Sequence, residues 1–165
     1  LDYTLAENLI LKNYYTPAFQ NNGFIKFDEM NRYCDQLTKR FDIRSSQGAE
    51  TVVRSMSGGN QQKAIVAREL SLQPEVIIAM QPTRGLDVGA IEYIHKQIIA
   101  ARDDQKAVLL VSLELDEVMS VSDRILVMFE GEVVAEIEAK SASAQELGLY
   151  MSGANRQSRM EVDQQ

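Results

Sequence analysis

The chain has no tryptophan, one cysteine, one histidine and only three prolines. A single cysteine cannot close an internal disulfide, and its isolation fits a reducing compartment. Positive charge is also scarce: 17 Lys and Arg stand against 24 Asp and Glu, a formal charge of −7. That balance argues against a nucleic-acid binder, which carries a basic face. No apolar run approaches the length of a membrane span, and no stretch has the pattern of a signal peptide. What remains is ordinary for a globular protein: 165 residues, 45% hydrophobic and 25% charged, enough for one domain with a real core. The first residue is Leu1 rather than Met, so the chain is expected to be part of something longer.

The first 73 residues read as almost wholly helical. Thr4 and Glu7 have capping-box spacing ahead of Leu9, Ile10 and Leu11. Residues 16–23, with Pro17 and the turn signal Asn21-Asn22-Gly23, read as a loop. Asp28 is the expected N-cap of a second helix with Met30, Tyr33, Leu37 and Phe41 on its apolar face. Cys34 lies within that pattern as a small core or boundary residue. A polar, irregular stretch over 44–55 follows.

From Glu75 the character changes. Residues 76–79 and 106–111 are short apolar runs, expected as buried parallel strands. Between them lie a loop over 82–87 and a helix over 88–102, capped by Asp87, with Ile91, Ile94, Ile98 and Ile99 facing inward. His95 is mid-helix and expected to face solvent. A short helix over 114–119, a hairpin of 123–129 with 132–137 around Glu130-Gly131, and a helix over 144–151 complete the order. The polar residues from Asn155 onward read as a disordered tail. Alternating strands and helices imply an α/β unit, with functional loops at the carboxyl ends of the strands.

The stretch that organises the chain is 56–70, MSGGNQQKAIVAREL. Gly58 and Gly59 allow close approach to a ligand and open a helix whose first N–H groups and dipole suit a phosphate. Its apolar side is expected to hold Ile65, Val66 and Leu70. By its wording this stretch resembles the signature motif of ABC-transporter ATPases, in the SGGNQQK form of importers for simple sugars and nucleosides. Residues 76–90, VIIAMQPTRGLDVGA, resemble the same family's Walker B strand and D-loop, and VSLELDEV its switch strand.

The resemblance covers about residues 1–152 and corresponds to the latter part of the second nucleotide-binding domain of a fused, two-domain importer subunit. It implies a partial P-loop NTPase core with a parallel sheet (74–138), preceded by an α-helical subdomain (1–73) and followed by a C-terminal helix (139–154) and a tail (155–165). The strand leading into the phosphate loop is absent, since none of the nine glycines sits in GxxxxGK[ST]. It also implies that Ser57, Gly58, Gly59 and Asn60 face ATP held by a partner domain, and that Gly85, Leu86 and Asp87 lie at the dimer interface. ATP and Mg²⁺ belong to the full assembly, with none expected on this chain alone. The implied partners are the other nucleotide-binding domain and transmembrane permease subunits, at the cytoplasmic face of the membrane, with no nucleic acid.

Three positions depart from the family. Its Walker B strand ends in Asp-Glu, where this chain has Met80 and Gln81, and Leu113 stands where the switch histidine is usual. A thioether is a poor ligand for a hard cation, and an amide cannot take a proton at neutral pH. No catalytic residue is therefore intact at these positions and no metal site is expected. Two rivals keep other functions open: an ABC-class ATPase of DNA maintenance or repair, and a non-enzymatic interaction module.

Overall fold

A computed structural model describes residues 2–157, which fall into two compact units. The first comprises the residues up to Ile77 together with Pro82–Val108; the second comprises Ile78–Gln81 and the residues from Leu109 on.

In the first unit, α1 (Leu5–Ile10) begins with the expected capping box: Thr4 Oγ1 accepts from Glu7 N at 3.3 Å, and Thr4 N donates to Glu7 Oε2 at 2.7 Å. Residues 16–23 are more ordered than a plain loop. Two-residue strands β1 (Gln20–Asn21) and β2 (Phe24–Ile25) pair antiparallel across Asn22 and Gly23, both at positive φ. That hairpin delivers the chain into α2 (Phe27–Arg40) earlier than expected. The N-cap is Lys26, without a side-chain bond, and Asp28 lies inside the first turn rather than capping it. There its charge still complements the helix dipole.

Leu5, Leu9, Cys34, Leu37 and Phe41 are buried in one core cluster, so Cys34 is a core residue. The segment 44–55 forms two 3-10 turns, Gly48–Glu50 and Val53–Ser55, tied to the chain start by Leu5 N to Thr51 O at 2.8 Å. Helix α3 (Gly58–Ser71) packs on α1 through Ala64 and Ala67, which are fully or nearly buried. Ile65, expected on the inner side, is instead 43% exposed, because the small residues one turn apart set the contact face. Helix α4 (Val88–Asp103) packs against α3, burying Ala90, Ile94 and Ala101. His95, expected to face solvent, is half-buried.

Strands β3 (Val76–Met80) and β4 (Ala107–Val111) pair with each other, and each is divided between the units. Ala107 N bonds to Glu75 O at 2.9 Å, and Gln81 N to Val111 O at 2.8 Å. Start meets start and end meets end, the parallel arrangement expected. These strands are not the buried pair that their apolar runs implied. Val76, Ile78 and Met80 are 62%, 67% and 71% exposed, and Leu109 and Val111 are exposed on β4. A parallel pair is buried only when both its faces are covered, and alternate residues here lack that cover among the described residues.

In the second unit, α5 spans Leu115–Val121, β5 (Arg124–Phe129) and β6 (Glu132–Glu138) form the expected antiparallel hairpin, and α6 (Ala144–Met151) packs on β5. The turn takes left-handed backbone at both Glu130 and Gly131, and only at Gly131 does it come without steric cost. Ile125, Val127, Ile137 and Leu147 form its core. β4 and β5 belong to different sheets. The tail does not begin at Asn155: Asn155 N bonds to Leu149 O at 3.2 Å, and Gln157 N to Val134 O at 2.9 Å. Residues 158–165 lie outside the described residues. The α/β class, the parallel pair and the preceding helical subdomain are those the sequence implies.

Candidate functional site

The start of α3 is built by its own sequence. Ser57 is the N-cap, its backbone extended and its Oγ accepting from Asn60 N at 3.4 Å and from Asn60 Nδ2 at 2.9 Å. The N–H groups of Gly58 and Gly59, in the first turn, have no acceptor within the helix. Ser57 and Gly58 are exposed and Gly59 is half-buried, so the helix start lies at the surface. Such a helix end binds an anion by direct hydrogen bonds and by its dipole.

Asn60 is turned toward the chain as well as the site. Its Oδ1 accepts from Arg44 N at 2.8 Å while its Nδ2 holds Ser57 Oγ. One further turn along, Lys63 Nζ donates to Asp42 O at 2.9 Å and to Asp42 Oδ2 at 2.7 Å, and lies 4.6 Å from the centre of the Tyr93 ring. The Lys63 hydrogen bond and charge hold the Asp42 carboxyl below its ordinary range. Burial pushes the Tyr93 phenol up to about 12, with the Asp42 charge adding to it.

The loop before α4 meets this helix start within the same unit. Gly85 has φ +74, a left-handed conformation suited to glycine, and Leu86 N closes a turn onto Thr83 O at 3.2 Å. Asp87 caps α4, accepting from Ala90 N with Oδ1 at 3.0 Å. A Cβ placed on Gly59 would lie 3.1 Å from Ala90 Cβ and 3.4 Å from Asp87 Oδ2, and one on Gly58 would lie 4.0 Å from Leu86 Cδ2. The structure therefore brings Ser57, Gly58, Gly59 and Asn60 together with Leu86 and Asp87.

Met80, Gln81 and Leu113 belong to the second unit. Gln81 sits at φ 48, immediately after β3, with its N–H held by Val111 O. Met80 and Leu113 are 71% and 74% exposed. Their thioether and alkyl groups do not fit Mg²⁺, and among the described residues no group of three or more His, Cys, Asp or Glu could hold a metal ion. The donor set at α3, by contrast, fits a phosphate.

Arg44, Asp42, Tyr93 and Ala90 carry no sequence signal of a role, and Lys63 stands out only as part of its motif. Their partners are remote in sequence, so no local pattern announces them. The one available hint was spacing: Asn60 and Lys63 stand three apart and share a helix face.

No family model matches the chain. The nucleoside import ATP-binding protein NupA of Lactococcus lactis subsp. cremoris is 48% identical over 155 residues, 94% of this chain and 30% of that protein. The guanosine import ATP-binding protein NupO of Bacillus subtilis is 46% identical over 156 residues, again 94% of this chain and 30% of the relative. The chain thus spans under a third of these relatives' length. Among solved structures, the dimeric bacterial ABC transporter cassette MJ0796 superposes with a TM-score of 0.64 at 27% identity, over 83% of this chain and 57% of that one. Among the described residues no helix is long and apolar enough to cross a membrane.

Proposed function

We infer that this chain belongs to the ABC ATPases of nucleoside and simple-sugar importers, as its likeness to NupA and NupO supports, and that it supplies the signature-motif wall of an ATP site completed by a partner domain. One observation carries this reading: the exposed N-cap Ser57 and the first turn of α3, set directly against the loop of Asp87. Ser57 and the Gly59 N–H reach the γ-phosphate of ATP held on the partner's phosphate loop. Asp87 stands at the interface between the two domains, and the helical subdomain contributes to docking on a membrane permease. When bound, ATP with Mg²⁺ supplies the phosphoanhydride whose hydrolysis drives transport. The chain's own part is to orient and neutralise phosphate charge at the helix end.

The other half of the domain has lost its chemistry. Met80 and Gln81 offer neither a metal carboxylate nor a general base, and Leu113 offers no imidazole. Loss of a general base alone costs about 10²–10⁴-fold in rate. We read this as a degenerate site, with turnover left to the composite site that uses Ser57. The names of the relatives support a nucleoside as the solute.

The test is Ser57→Arg in the complete ATP-binding subunit, which places a bulky cation in the phosphate-facing wall. Abolished hydrolysis and transport are expected; unchanged hydrolysis contradicts the reading.

A further inference from the structure

Lys63 belongs to a stretch that opens on a phosphate-facing helix end, and a lysine there invites the reading of a phosphate ligand. Its geometry points elsewhere. The Nζ is spent on the carbonyl and the carboxylate of Asp42, at 2.9 and 2.7 Å, and its remaining face covers the Tyr93 ring. The Lys63 side chain is only 13% exposed. Asp42 follows α2 and holds φ at 47, a left-handed conformation that a residue with a Cβ adopts only at a cost. Lys63 secures that turn from both its backbone and its side chain.

Two residues beyond Asp42, Arg44 N donates to Asn60 Oδ1, and Asn60 Nδ2 holds Ser57 Oγ. A continuous set of hydrogen bonds therefore leads from the turn after α2 to the N-cap hydroxyl of α3. Lys63 anchors its far end and adds a contact to α4, the helix that Asp87 caps.

We propose that Lys63, acting with Asp42 and Asn60, is a positioning residue: it fixes the turn of residues 42–44 and so sets the pose of Ser57 toward ATP. The proposal rests on the phosphate-facing role of Ser57 given above. Its value lies in geometry rather than in stability. Asp42 is 59% exposed, and an ion pair with so exposed a partner contributes little to folding. A displaced catalytic group is far more costly: a misplacement of about 1 Å can reduce turnover by about 10²-fold.

The partner's phosphate loop supplies most of the binding to ATP, so a mis-set Ser57 is felt in closure and turnover. The experiment measures kcat and KM for ATP in the complete subunit, for Lys63→Met, Lys63→Arg, Asp42→Asn and Ser57→Arg. Lys63→Met keeps an unbranched stem over Tyr93 and removes the cation. It is expected to lower kcat about 10-fold or more at nearly constant KM. Asp42→Asn, at an exposed position with little bearing on folding, is expected to lower kcat in the same direction. Lys63→Arg, which keeps a cation for both Asp42 and the ring, is expected to restore most of the rate. Wild-type kcat in Lys63→Met and Asp42→Asn, a raised KM without loss of kcat, or an arginine variant as poor as the methionine one overturns the positioning role. Intact hydrolysis in Ser57→Arg overturns the phosphate-facing reading and this proposal together. Loss of hydrolysis in Ser57→Arg beside a normal Lys63→Met overturns this proposal alone.

Discussion

Gly59 and Ala90 meet where α3 and α4 begin: a Cβ on Gly59 would lie 3.1 Å from that of Ala90, with Asp87 Oδ2 at 3.4 Å on the same side. The second glycine of the motif thus sits in a tight contact inside the chain, whatever it also does for a phosphate. Gly59→Ala forces α3 and α4 apart by a few tenths of an ångström. Overpacking of this kind costs about 1–3 kcal/mol. Gly58→Ala meets only Leu86 Cδ2, at 4.0 Å, and is expected to change stability by less than about 0.5 kcal/mol. Denaturant titration of both variants checks the contrast. Equal stabilities would show that α3 and α4 are not in this contact.

Alkaline pH is expected to weaken the fold from about 9 upward. Burial lifts the Cys34 thiol from 9.0 to about 12, and the Tyr93 phenol from 10.0 to about 12. Both protons are held more tightly in the folded chain than in the unfolded one. Their stabilising effect is complete below the unfolded values and is lost as pH rises toward 12. Chemical denaturation at pH 8, 9.5 and 11 should give falling midpoints. Native Cys34 should also resist thiol reagents at pH 8 and react on unfolding. Rapid native labelling would contradict its burial.

Local chemistry was legible in the sequence. The caps at Thr4 and Asp87, and the turn at Glu130-Gly131, each rest on residues within four positions of one another. The start of α3 at Gly58 was visible for the same reason. Asp28 misled because the small hairpin feeds the chain into α2 at Phe27, which no propensity at Asp28 could reveal. The bonds of Asn60 to Arg44 and Lys63 to Asp42 span 16 and 21 residues, beyond any local pattern. The apolar runs at Val76 and Ala107 gave strands correctly but their burial wrongly. Such a run states what a surface prefers, and cover depends on what lies against it.

Exposed apolar strand faces invite pairing with another copy. With Val76, Ile78 and Met80 more than half exposed on β3, the chain alone is expected to self-associate. Light scattering over a concentration series should show the apparent mass rising, and Ile78→Lys should reduce the rise. A strictly monomeric chain at high concentration with cooperative unfolding contradicts this.

ATP should bind weakly to the chain alone. The helix start at Ser57 provides one wall of a site, while a phosphate loop would provide most of the N–H donors and the lysine, and no GxxxxGK[ST] occurs in the sequence. Calorimetry is expected to show no micromolar binding and no hydrolysis. Micromolar affinity would mean that the chain holds nucleotide by some other means.

The central claim is a division of labour: the Ser57 face serves chemistry, while the strand ends at Met80, Gln81 and Leu113 do not. It is tested most directly by the steady-state ATPase rate of the complete subunit carrying Ser57→Arg or Gln81→Glu. Ser57→Arg is expected to abolish hydrolysis. Gln81→Glu restores one carboxylate but leaves Met80 and Leu113, and is expected to leave the rate nearly unchanged. Hydrolysis that survives Ser57→Arg, or roughly doubles in Gln81→Glu, contradicts the assignment.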